Sequence, residues 1–233
     1  MRELKEKVLE GNLKLVECGL VILTWGNVSA YDREKGLVAI KPSGVPYAEM
    51  TADDIVVLDL DGKIVEGDLR PSTDTATHLE IYKAFPQIGS VIHTHSKWAT
   101  IWAQMRMDMP CFGTTHADFF FGSVPCTREI TDDEIDENYE KITGQIIVET
   151  IKKRGKDPIS VPGILAYGHA PFTWGKDVDS AVKNSVVLER IAEMNYYTLF
   201  NSKAPAPLKQ SIIEKHYNRK FGPNAYYGQE KHN

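Results

Sequence analysis

Ile88-Gly89-Ser90-Val91-Ile92-His93-Thr94-His95 is the stretch on which the reading of this chain turns. Ile88 to Ile92 is an apolar run that reads as a strand. Side chains alternate faces along a strand, so His93 and His95 point the same way and can grip one ion. Burying two such histidines unpaired would cost about 1–3 kcal/mol for each unsatisfied group, which favours a metal role over a passive core role. With Asp74 before them and His169 after, three imidazoles and a carboxylate suit a divalent transition metal, zinc first, with room for a substrate to enter the coordination sphere. Asp74 by itself reads equally well as the cap of a helix that follows Ser72-Thr73.

Working outward, residues 3–18 read as an amphipathic helix with Leu4, Val8, Leu15 and Val16 on one side. Val28–Tyr31 and Leu37–Ile40 read as strands around a polar turn, and a second hairpin runs from Ile55 to Val65, turning at Asp61-Gly62. A helix over 74–85 precedes the histidine strand, and another follows from about Ser96 to Met105. Thr131-Asp132-Asp133-Glu134 spells a capping box, predicting one helix that runs towards Arg154. Ser160 to Tyr167 reads as a strand ending near His169. A long helix over about Asp177–Phe200 has Val178, Val182, Val186 and Ile191 as buried candidates, and a last helix spans about Leu208–Arg219. Hairpins mixed with helices predict an α/β fold with a largely antiparallel central sheet in one domain, 1–233.

The bulk numbers narrow the class. At 233 residues, 42% hydrophobic and 25% charged, the chain can bury a sizeable core. A formal net charge of -5 argues against a general nucleic-acid binder while leaving room for a local basic pocket. No apolar run approaches a membrane span, and Met1–Glu10 lacks the apolar stretch of a signal peptide. Cys18, Cys111 and Cys126 are odd in number with no CxxC spacing, so a reducing cytoplasm is expected. No GxGxxG fingerprint indicates a nicotinamide cofactor.

Three places offer small residues and backbone N–H groups to an anion: Gly26-Asn27, Ser43-Gly44 and Ser72-Thr73, the last before an expected helix N-terminus. Thr114-Thr115-His116-Ala117-Asp118 ends a possible short strand and enters Phe119–Phe121. Beside so much apolar surface, Asp118 could carry a raised pKa and serve as acid or base; on position alone it reads as an exposed loop residue. Tyr226-Tyr227-Gly228 is an aromatic tail in which a phenol could donate a proton.

Taken together, the ordered segments resemble the L-ribulose-5-phosphate 4-epimerases of the class II aldolase and adducin-head superfamily over nearly the whole chain. The match runs through Thr24–Ala30, Ile40–Val45, Met50–Asp54, Pro71–Thr75, His93–Ser96, Gly113–Asp118, Pro171–Gly175, Lys215–Tyr217 and Ala225–Gln229. Thr73 stands where Ser is usual, Ala76 where Pro is usual and Phe119 where Tyr is more typical; Tyr167-Gly168 replaces a more polar lead-in to His169. None of these changes removes a proposed catalytic atom.

The resemblance implies a three-layer α/β/α domain, assembled as a homotetramer with active sites at subunit interfaces. It implies Zn²⁺ on Asp74, His93, His95 and His169, with Mn²⁺, Co²⁺ or Ni²⁺ also compatible with those ligands. It implies a phosphorylated ketopentose held by Gly26, Asn27, Ser43, Gly44, Ser72 and Thr73. Asp118 and Tyr227 would transfer protons, the tyrosine in a neighbour's site, with Lys41 and His216 in support. The carbon inverted carries no acidic proton, so the expected route is cleavage and re-formation of C3–C4, the phosphate anchoring the aldehyde fragment while it rotates. Two rivals stand beside it. A class II sugar-phosphate aldolase usually has Glu at the position of Asp74, and a non-catalytic adducin-like module typically lacks the histidines.

Overall fold

The computed structural model describes residues 1–136 and 138–228. Its first helix, α1 (Arg2–Glu17), buries Val8, Gly11, Asn12 and Leu15, one stripe at helical spacing. Val16 falls off that stripe and is exposed, contrary to the expectation from sequence. Strands β1 (Asn27–Asp32), β2 (Leu37–Ile40), β3 (Val56–Asp59) and β4 (Ile64–Glu66) form successive hairpins. Helix α2 (Thr75–Ala84) leads into β5 (Ser90–His93), then α3 (Lys97–Gln104) and the single turn α4 (Thr114–Ala117).

Two expectations need correction here. The 114–118 segment is helical, its turn closed by Asp118 N–H on Thr114 O at 2.9 Å. The helix expected to run unbroken from Thr131 is two helices, α5 (Asp132–Ile135) and α6 (Tyr139–Lys153). The capping box is real, Glu134 accepting from Thr131 N–H at 2.9 Å. Asn138 then makes a second start, its side chain accepting from Lys141 N–H at 3.0 Å.

Strand β6 is only Gly163–Leu165, because Asp157 draws the N–H groups of Ser160 and Val161 into a turn. It pairs with β7 (Pro171–Gly175), a buried strand that the sequence reading did not assign. Pro171 opens it, the strand position where a missing N–H does least harm. Helix α7 (Val178–Asn201) follows, and α8 (Gln210–Phe221) ends the described architecture. On α7, Val178, Val182 and Ile191 are buried, but Val186 is exposed.

The sheet order is β4-β3-β2-β1-β5-β7-β6 with every pairing antiparallel. Alternation along β5 sends Ile92 into a core with α1 and α7 (Val8, Leu15, Val28, Val182). Its neighbour Val91 enters the opposite core with α2 and α6 (Leu79, Tyr82, Ile147, Ile151). Helices therefore cover both faces, giving the expected α/β/α layering. At one end of the three central strands Asn27 pairs with His93 and His93 with Phe172, so a row of side chains opens from the sheet end.

Candidate active site

His93 is the last residue of β5 and is almost fully buried, and His95 lies two residues past the strand end. His169 comes from the turn between β6 and β7, where Gly168 takes φ +66° and Ala166 N–H bonds Ala170 O. The three rings converge with centroids 4.8, 4.8 and 5.0 Å apart, and their ligand nitrogens all lie within 4.8 Å. The His93 Nδ1–H donates to Pro171 O at 3.0 Å, which turns Nε2 towards the shared centre, 3.0 Å from His95 Nε2. Tetrahedral ligands on zinc stand about 3.3–3.4 Å apart, so these nitrogens need only a slight spread to share one ion. Burial pushes the His93 imidazole down to about 3, against the pull of Asp74, and lowers His95 and His169 as well. Neutral imidazole is the form that ligates a metal, and His169 Nδ1 is buried with no hydrogen-bond partner among the described residues. The donor set fits a divalent transition metal.

Asp74 stands beside this trio in the same cavity, at the N-cap of α2. Its Oδ2 accepts from Asn27 Nδ2 at 2.6 Å and from Ser72 Oγ at 3.5 Å. Burial works against its charge, yet the nearby His93, His78 and His169, with the Asn27 amide, hold it below the ordinary carboxylate range. Among the described residues the compact group within 4.8 Å comprises the three histidines.

The cavity holds about 500 Å³, and all six expected anion-binding residues line it. Gly26 has φ +76°, and a Cβ there would stand 2.9 Å from His93 O, so only glycine lets the β1 entry pass the histidine strand. Gly44, at φ +73°, turns the chain after Lys41-Pro42-Ser43, whose Ser43 N–H bonds Arg70 O. Asn27 also reaches Ser72 Oγ at 3.0 Å, locking β1 to the α2 entry loop. Lys41 is buried; its Nζ donates to Thr24 O and Pro42 O, and burial lowers its pKa. Tyr139 and Glu140, from the start of α6, complete the wall and carried no signal in the sequence reading.

Asp118 and Tyr227 do not line this cavity. Asp118 is buried, not a loop residue in solvent, and accepts from Arg219 at 2.9 and 2.7 Å and from His216 Nδ1 at 3.1 Å, with Lys220 Nζ 3.8 Å away. Burial pushes its carboxyl up, but those hydrogen bonds and cations outweigh it, so the raised pKa expected from sequence is instead a lowered one. Tyr227 is exposed and its ring sits 4.3 Å from Lys220 Nζ. Arg219 and Lys220 follow His216 by three and four residues, the helical spacing that could have drawn attention to them. Gln229, the end of the tail motif, lies outside the described residues.

The class II aldolase and adducin N-terminal domain family matches residues 6–196. The chain belongs to the class II aldolase and adducin family. It is 52% identical over 230 residues to the L-ribulose-5-phosphate 4-epimerase UlaF of Salmonella paratyphi C (strain RKS4594), covering 99% of this chain and 100% of that protein. The same figures hold for the protein of that name from Salmonella choleraesuis (strain SC-B67). Among solved structures, an L-fuculose 1-phosphate aldolase superposes with a TM-score of 0.78 at 27% identity, over 93% of this chain and 95% of that one. YgbL of Escherichia coli, described as a putative aldolase/epimerase/decarboxylase, shares the fold with a TM-score of 0.72 at 20% identity, over 92% and 97%. The class II aldolase superfamily is metal-dependent, and His93, His95 and His169 form the group in this chain that could bind the ion.

Proposed function

We infer that this chain is an L-ribulose-5-phosphate 4-epimerase, interconverting L-ribulose 5-phosphate and D-xylulose 5-phosphate. The observation that carries the reading is full-length similarity to epimerases so named, in a chain that keeps a three-histidine group and an anion cradle in one cavity. Asp74, where the aldolases usually have Glu, favours epimerisation over net cleavage.

Asp74, His93, His95 and His169 would hold the metal, with zinc the preferred ion. Bound there, a divalent metal supplies Lewis-acid stabilisation of the charge that develops on substrate oxygen as C3–C4 breaks. The phosphate is gripped by Ser43, Gly44, Ser72 and Thr73 beside the α2 N-terminus, with Gly26, Asn27 and the Lys41 ammonium alongside. That grip keeps the aldehyde fragment in place while it presents its other face. Asp118 and Tyr227 move protons at the C4 oxygen from opposite sides, and Asp118, held as carboxylate, starts as an acceptor. Neither lines its own chain's histidine cavity, which supports a reading in which both act in a neighbour's site within a homotetramer. A phosphorylated pentose as substrate supports a role in pentose catabolism in the cytoplasm. Among the described residues no helix is long and apolar enough to cross a membrane.

The test is turnover of L-ribulose 5-phosphate by purified protein before and after chelation, with xylulose 5-phosphate and free aldehyde both followed. Epimer formed without accumulating aldehyde, lost on chelation and restored by Zn²⁺, is the expected result. Cleavage of a ketose 1-phosphate with no epimer formed would move the chain to the aldolase branch.

A further inference from the structure

His78 lies one helical turn after Asp74, its backbone N–H bonded to Asp74 O at 3.1 Å, and its side chain is fully buried behind the histidine group. The ring edge meets Phe172 at 6.0 Å, and Phe172 stacks on His93 at 4.3 Å. A chain of hydrogen bonds fixes its tautomer. Val91 N–H can only donate, and it does so to Tyr82 Oη at 3.0 Å. The Tyr82 hydroxyl then donates to Ser29 Oγ at 2.7 Å, and the Ser29 hydroxyl to His78 Nδ1 at 2.7 Å. The reverse order would leave the buried phenol proton without an acceptor. Nδ1 is therefore an acceptor, and the ring's one proton sits on Nε2. That nitrogen is buried and has no hydrogen-bond partner among the described residues. The carboxylate whose charge acts on the ring is Asp74, so far held only by Asn27 and Ser72.

We propose that His78 is a positioning residue for Asp74: a neutral, Nε2-protonated imidazole, clamped by Ser29 and Tyr82, whose N–H steers the Asp74 carboxylate in the metal-bound site. Turned towards the ring, the Asp74 carboxylate one helical turn earlier would give this buried donor a partner, and the donor would then limit the orientations open to the carboxylate as a ligand. The proposal rests on the reading of Asp74 as a ligand.

Zn²⁺ affinity by chelator competition, with the visible spectrum of the Co²⁺-substituted protein, tests it in His78→Phe, His78→Gln, Asp74→Ala and the His78→Phe/Asp74→Ala pair. His78→Phe is expected to weaken Zn²⁺ about 10–100-fold and alter the Co²⁺ bands. The Gln amide can accept from Ser29 and donate to Asp74 at once, so His78→Gln should recover most of the affinity. In the Asp74→Ala background, His78→Phe should cost nothing further. An equal loss in both backgrounds, or an Nδ1-protonated His78 in ¹H–¹⁵N spectra of the unaltered protein, overturns the proposal. Unchanged affinity and bands in Asp74→Ala would instead remove Asp74 as a ligand, and His78's role with it. Should His78→Phe not fold, the Gln variant and the tautomer decide.

Discussion

Lys41 is a buried ammonium that donates to two backbone carbonyls and faces a cavity lined by hydroxyls, amides and imidazoles together with the Asp74 and Glu140 carboxylates. Its remaining donor capacity fits a phosphate oxygen. Lys41→Met should leave folding intact and lower kcat/KM about 10–100-fold, as expected for a lost charge-assisted hydrogen bond, mostly through KM. Gly26→Ala is different in kind. A Cβ at φ +76°, 2.9 Å from His93 O, both strains the backbone and pushes on the strand that carries His93. It should lower Tm and weaken metal binding together, with about 1–2 kcal/mol from the left-handed conformation alone. The histidines also set a pH limit. Burial pushes His78 and His116 down to about 4, from an unfolded value near 6.5. Between those values the unfolded chain binds more protons, so stability falls as pH drops from about 6.5 to 4, by up to about 3 kcal/mol per histidine. Denaturant melts across that range should show it, and His116→Gln should flatten the slope. At His116 the neutral ring donates Nε2–H to Gly122 O and accepts from Asn195, which holds the α4 turn and hence Asp118.

At the scale of elements, α8 is attached to the rest of the chain by little apolar surface. Ile213 is its one buried residue among those described, packed near Cys111 and Ala117. The stronger link is polar: Asp118, at the end of α4, binds Arg219 through both carboxylate oxygens and also meets His216 and Lys220. A carboxylate whose pKa is lowered on folding stabilises above its unfolded value and loses that contribution as pH falls through the folded one. The α8 clamp should thus hold at neutral pH and loosen below about pH 4. Asp118→Asn is expected to raise amide exchange and protease cleavage across residues 208–228 while leaving metal content unchanged. If proton transfer is its role, turnover falls about 10²–10⁴-fold in the same variant, and so does that of Tyr227→Phe. A threefold loss at both would remove the assignment.

For the whole molecule, the separation of the two residue groups is the main consequence of the fold. The histidine cavity opens at the ends of β1, β5 and β7, whereas Asp118 and Tyr227 gather around α8 outside that cavity. In the proposed ring of subunits each complete site would take its metal from one chain and its acid/base pair from the next. His93→Ala and Asp118→Asn, each strongly impaired alone, should complement when co-expressed. Random mixing in a fourfold ring leaves about a quarter of the sites intact. Absence of any recovered activity in isolated mixed oligomers would mean that each chain builds its own site.

Much of this was determined by sequence alone. Period-two and period-3.6 patterning located the hairpins, α1, α2 and α7, since burial on one face writes itself into every second or every third to fourth residue. His93-Thr94-His95 drew attention as a pair expected to share one strand face; β5 ends at His93, and it is the turn past the strand end that brings His95 beside it. What remained hidden depended on contacts distant in sequence. β7 is buried on all sides and begins with proline, so it carries no alternation to read. The capping box at Thr131 hid a second helix start seven residues on. Asp118 looked like a carboxylate in apolar surroundings because Arg219 is 101 residues away in the chain. His78 drew no notice because its meaning lies in Ser29, Tyr82 and Val91, on two other strands and its own helix. Local pattern determines which face a residue takes; only packing of the layers decides which charges and donors then meet.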